Sequence, residues 1–171
     1  MKRFENTDID AIDALAKELG VKGRAIKEMS NDGYSHYEPD YTFGVNLPDG
    51  DHAVYLVYDN QEMAEVAAAD DLGEQFQEDP SILGAAIKHF GFSTLREYLN
   101  GLDEEELDEL ESLKDDLYEE EFAEYVQSNI GVDYRGFAEF CVNEFGPAWH
   151  IANYDGREVE LANGMMAYRV E

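Results

Sequence analysis

Between Asp103 and Glu124 the chain sets thirteen carboxylates against a single base, Lys114. Carboxylates at such density can do three kinds of chemistry. They can hold a divalent cation, work as an acid–base pair on a substrate, or face a polycation as phosphates do. A calcium loop needs alternating oxygen ligands and a Glu at loop position twelve. The nearest approach is Asp49-Gly50-Asp51 with Asp59, but Asn60 stands at the twelfth position counted from Asp49. A pair for glycoside hydrolysis needs one acid with a raised pKa, and nothing in the spacing singles one out. An acidic cleft that binds metal or does catalysis therefore stands only as an alternative.

Other chemistry has less support. The sequence has no GxGxxG and no GxxxxGK[ST] phosphate loop. It has no HExxH, no paired CxxC and no GxSxG elbow. His36, His52, His89 and His150 are scattered, and His89 falls near a helix end where it suits the dipole. Cys141 is the one cysteine, so no internal disulfide forms, which fits a reducing compartment or simple indifference to redox state. Its neighbours Phe137, Phe140 and Phe145 predict a buried helix face with a structural thiol. The expectation is a non-enzymatic protein without a cofactor.

The elements that would position the acids read as follows. Thr7 or Asp8 caps a helix over 9–19, ended by Gly20. A short helix follows over 24–29, then a loop over 30–40. Two β-rich runs, 41–47 and 53–58, are joined by Pro48-Asp49-Gly50-Asp51, which is hairpin chemistry. Asp59 with Glu62 makes a capping pair for a helix to about Gln77. Asp79-Pro80 opens the next helix and Gly91 closes it. Ser93 caps a short helix over 94–100. Asp103 with Glu106 opens a helix to about Ser128, with a break foreseen near 114–118. An amphipathic helix covers 134–144, and a helical turn 148–153. The chain closes on a hairpin over 158–170 through Asn163-Gly164.

This order predicts an α+β fold, mainly helical, with two β-hairpins (about 41–58 and 158–170) packed on helices. It reads as one compact domain over 1–171; the alternative division is an N-terminal hairpin lobe (1–58) and an acidic helical lobe (59–171). At 44% hydrophobic, with nine Phe and eleven Tyr, the chain can bury a core, unlike a disordered acidic tail. No run approaches the roughly 18–20 apolar residues of a membrane helix. Nor does an apolar stretch follow the basic residues of MKRFENTDID, so no secretory signal is expected and the predicted location is cytoplasmic.

The net charge is −28, from forty acids and twelve bases. Solubility of a small domain needs a magnitude of only about 2–8, and the excess repels itself. Its distribution is uneven. Residues 1–30 hold six acids and six bases, whereas residues 101–125 hold thirteen and one. High-salt adaptation would spread acids evenly and deplete lysine throughout; Lys17, Lys22 and Lys27 argue against it.

A continuous helix over 103–128 would be about 39 Å long at 1.5 Å per residue. Its carboxylates would fall roughly every 2.5 Å of axis, against about 1.7 Å per charge in duplex DNA. An ordinary solvated helix mixes signs, because like charges at i,i+3 and i,i+4 destabilise it. The predicted role is therefore a DNA-like surface of Glu104, Glu105, Asp108, Glu109, Glu111, Asp115, Asp116, Glu119, Glu120 and Glu121. Its partner would be a DNA-binding protein with a basic groove, without direct nucleic-acid or membrane binding. Self-repulsion opposes self-association through these faces, and oligomeric state is not fixed by the sequence. The competing reading is an interaction module anchored by the aromatic loop 34–41 through Tyr37 and Tyr41, with charge supplying only speed.

Near the C-terminus, Tyr154, Gly156, Arg157, Glu158 and Leu161 occur in an order that resembles the tail of ArdA-type anti-restriction proteins. The stretch 148–170 also resembles the endings of small acidic bacteriophage-encoded proteins. The resemblance implies a phage or mobile-element origin and a host-defence target of the restriction or CRISPR kind.

Overall fold

A computed structural model describes residues 6–171, with side chains from residue 9 onward. The fold is α+β, with a small antiparallel five-stranded sheet packed against helices. The chain divides into two compact units, residues 1–68 with 145–171 and residues 69–144.

The first unit is built on the sheet, in the order β1-β2-β3-β7-β6. Its strands are β1 (Ile26–Glu28), β2 (Tyr41–Asn46), β3 (His52–Tyr58), β6 (Glu158–Glu160) and β7 (Met166–Arg169). Side chains alternate across a strand, so Phe43, Val45, Ala53, Tyr55, Val57 and Ala167 share one face. There they pack with Ala11, Leu15 and Ala16 of α1 (Asn6–Leu19). The opposite face buries Thr42, Leu56, Tyr58 and Tyr168. Tyr58 donates its hydroxyl to the Tyr37 carbonyl, and Tyr168 donates to the Glu158 carboxylate.

Both hairpins close by the same device. Leu47 N–H bonds the Asp51 carbonyl at 2.8 Å, and Leu161 N–H bonds the Met165 carbonyl at 2.8 Å. Gly50 and Gly164 adopt φ of +91° and +85°. These are three-residue turns with a glycine bulge, a position where a Cβ would be strained. The Asn163-Gly164 signal marks the turn, but Leu161 and Met165 close it.

Several expectations are corrected. The helix predicted over 24–29 is a 3₁₀ turn followed by β1, because Ile26, Lys27 and Glu28 pair with Val45, Gly44 and Phe43. Six residues are too few for a stable isolated helix, and the open edge of β2 supplies hydrogen bonds instead. Thr7 and Asp8 lie inside α1, so its N-cap falls outside the described residues. Asp59 does not cap α2 (Gln61–Glu78). Asn60 does, accepting Met63 N–H at 2.9 Å, while Asp59 N–H bonds the Asp40 carboxylate. A division at residue 58 would part strands β3 and β7, which are hydrogen-bonded neighbours.

The second unit is helical. It holds the end of α2, then α3 (Pro80–Phe90), α4 (Phe92–Leu95), α5 (Glu104–Lys114), α6 (Glu119–Asn129) and most of α7 (Tyr134–Phe145). Asp79 caps α3 through Ser81 N–H, with Pro80 in the first position, as predicted. Ser93 caps nothing. The helix starts at Phe92, ends at Leu95, and gives way to a 3₁₀ turn. Strand β4 (Leu99–Asn100) then pairs with β5 (Gly131–Val132). The core is aromatic, with Phe76 stacked on Phe137 at 5.2 Å and Phe92 edge-on to Phe122 at 5.7 Å. Phe137 and Cys141 are buried on α7, but its last residue, Phe145, belongs to the first unit, is 39% exposed and leaves the predicted buried face; within that unit its ring lies 4.8 Å from Trp149 of α8 (Pro147–Ile151).

Candidate functional site

All thirteen acids from Asp103 to Glu124 are exposed. Twenty-two of the forty acids fall in the helical unit, against four bases, giving it −18 of the net −28. Two helices present them. On α5 the side chains of Leu107, Leu110 and Leu113 recur every three or four residues and turn inward, with Leu110 buried. The rest of α5 carries Glu104, Glu105, Glu106, Asp108, Glu109 and Glu111, and Asp115 and Asp116 follow just past its end. On α6 Phe122, Ala123 and Val126 are buried, leaving Glu119, Glu120, Glu121 and Glu124 outside.

The continuous 39 Å helix is not what forms. Tyr118 is extended, with ψ of 157°, and splits the run into two helices of 11 residues. Each is about 16 Å long. Asp115 and Asp116 lie at the C-terminal end of α5, where the helix dipole disfavours anions. Tyr118 then starts α6 without a side-chain cap. Asp103 does cap α5, accepting Glu106 N–H at 2.8 Å, as predicted.

Lys114, the one base of the stretch, is taken up locally. Its ammonium lies 3.6 Å from Glu111 and 5.8 Å from the Phe92 ring centre. Near it, Lys88 and Lys114 line a cleft of about 230 Å³ over Ile87, Phe92, Leu117 and Phe122. A second cleft of about 200 Å³ lies between α5 and α6, over Leu102, Leu110, Leu113 and Ile130. Residue spacing did not reveal it, because its walls come from two helices that a single continuous helix would have kept apart.

The aromatic loop is put to internal use. Tyr37 is buried, its hydroxyl accepts Asn153 Nδ2–H at 3.0 Å, and its ring meets His150 edge-on at 5.7 Å. Tyr41 stacks on Phe43 at 5.4 Å within β2. Tyr37 is therefore not presented as a surface anchor, whereas Tyr41 is half-buried. Tyr34 sits with Glu171, and burial together with that carboxylate pushes its phenol up to about 12.

Among the described residues, no group of three or more His, Cys, Asp or Glu is placed to share a metal ion. Asp49 instead accepts Asp51 N–H at 2.9 Å within the turn, and Asp59 faces Asp40. Partial burial and then the Asp40 charge raise the Asp59 carboxyl above its usual range. Burial pushes the Cys141 thiol up to about 12. No described helix is long and apolar enough to cross a membrane.

Comparison with protein-family models, curated proteins and solved structures finds no match. The tail residues that carry the ArdA-type resemblance have structural places. The Arg169 guanidinium lies 3.7 Å from the Tyr154 ring centre, Glu158 accepts the Tyr168 hydroxyl, and Leu161 is buried. The ten carboxylates singled out by sequence all belong to the helical unit, and Tyr37 and Tyr41 to the sheet unit.

Proposed function

We propose that this chain is a non-enzymatic protein that occupies the nucleic-acid-binding groove of a protein partner, its carboxylates standing in for phosphates. One observation carries the reading: thirteen exposed acids, ten on two consecutive helices and three at the ends of the first, with the single intervening base already paired to Glu111. On α5 six acids fall along about 16 Å of axis, with Asp103 at its N-cap and Asp115 and Asp116 just past its end. On the helix itself that is roughly one per 2.7 Å, within about a factor of two of the 1.7 Å of duplex DNA. The surface is held by a packed core, so it is presented without the ordering cost of a disordered acidic tail.

The target class implied by the C-terminal resemblance is a host-defence protein of the restriction or CRISPR kind. A groove lined with Lys and Arg would associate quickly and in a salt-dependent way. The Tyr-loop module has less support, since Tyr37 serves the interior.

The test is capture from a bacterial lysate by the wild-type chain and by a variant with Asp108→Asn, Glu109→Gln, Glu111→Gln and Asp115→Asn. The expected result is that the variant keeps its circular dichroism and thermal transition but loses at least tenfold of the captured DNA-binding protein. Equal capture by the two would contradict the reading.

A further inference from the structure

The cleft between α5 and α6 has the chemistry of a receptor for one kind of side chain. Its floor is aliphatic: Leu102, Leu110, Leu113 and Ile130. Glu106 and Glu109 stand on its rim, and among the described residues neither is paired with a base. Tyr125 lines the cleft and is 41% exposed as a residue. Each of these suits a different part of an arginine. The apolar floor takes the three-carbon stem, the two carboxylates take the guanidinium, and the tyrosine face offers a cation–π and stacking surface.

Alternative occupants fit less well. A metal ion would gain nothing from the aliphatic floor and would need more oxygen ligands. A purely apolar side chain would leave Glu106 and Glu109 at its edge without compensation. A lysine shares the stem and charge, but a compact, strongly hydrated ammonium cannot stack on Tyr125 or engage two carboxylates with a planar fork.

We infer that this cleft receives an arginine side chain of the protein partner, giving the charged surface one fixed anchor. The inference rests on the reading of that surface as one that meets a basic groove, and it adds register. Phosphate-like contacts alone tolerate sliding, whereas a seated arginine fixes where the two surfaces meet.

The probe is N-acetyl-arginine methylamide, titrated into the isotopically labelled full chain at constant ionic strength, with N-acetyl-lysine methylamide as control. A ligand of this size in a shallow cleft should bind with a Kd on the order of 1 mM. The expected result is saturable shifts of the Leu110, Leu113 and Ile130 methyls and of the Tyr125 ring. Arginine should bind at least threefold tighter than lysine. Tyr125→Ala, at an exposed position, and separately Glu106→Gln with Glu109→Gln should each weaken arginine at least fivefold while leaving the remaining methyl spectrum unchanged. Shifts spread over all acidic positions, equal for arginine and lysine, or insensitive to both variants, would overturn the pocket. That failure would leave lysate capture intact, whereas failure of the polyanion reading removes capture while the arginine titration still saturates.

Discussion

At the scale of single residues, the thirteen acids sort by what a helix wants. Asp103 is an N-cap, and Glu104, Glu105, Glu106, Glu119, Glu120 and Glu121 occupy first turns. Anions there are favoured by typically 0.3–1 kcal/mol each, so helix chemistry explains these seven. Asp108, Glu109, Glu111, Asp115, Asp116 and Glu124 lack that explanation. Asp115 and Asp116 sit at the unfavourable end of α5. On the proposed reading they serve the partner and not the fold. The double change Asp115→Asn with Asp116→Asn should therefore raise the melting temperature while lowering partner capture. A loss of stability would show that the two acids serve the fold. Cys141 gives a second check. Burial raises its thiol from 9.0 to about 12, so the folded state holds this proton more tightly than the unfolded one. The associated stability is complete below pH 9 and is lost as pH rises towards 12. Native protein at pH 8 should resist alkylation, and labelling should appear only on unfolding; rapid native labelling would contradict the burial.

At the scale of elements, α6 is positioned by α3. A Cβ on Gly84 would meet the Glu119 backbone oxygen at 2.9 Å, so α3 and the start of α6 approach as closely as backbones allow. Gly84→Ala should force them apart at a cost of about 1–3 kcal/mol, against roughly 1 kcal/mol of gained helix propensity. The expected outcome is a lower melting temperature. Gly73→Ala, inside α2 with its Cβ no closer than 3.4 Å to the nearest backbone atom, is the control and should leave the melting temperature unchanged or raise it, since it gains the same propensity without the clash. Much of this scale was legible in the sequence. The hairpin turns, the Asp79-Pro80 and Asp103 helix starts and the break near Tyr118 follow from local chemistry. The β1 strand was not legible, because its conformation is set by a partner strand rather than by its own residues. Nor was the exchange of Asp59 for Asn60 as the cap: α2 starts at Gln61, which places Asn60 and not Asp59 beside its first free N–H groups. The acids of the candidate surface were visible as composition. The α5–α6 cleft was not, since residues about 20 positions apart form it.

At the scale of the whole molecule, charge is divided unequally. The sheet unit carries −10 and the helical unit −18. A salt-adapted protein would acidify both alike, whereas a surface made for a polycation binder concentrates its acids, as seen here. The two hairpins that sequence reads as separate features join in one sheet, so residues from both ends of the chain build the unit that carries less of the charge. The most direct measurement is displacement. The chain is immobilised, loaded with bacterial lysate, washed at low salt, and eluted with duplex DNA at constant ionic strength. Release of DNA-binding proteins by duplex, with steep loss of binding between about 50 and 200 mM salt, is the result the account predicts. Retention of the captured proteins against saturating duplex would contradict it.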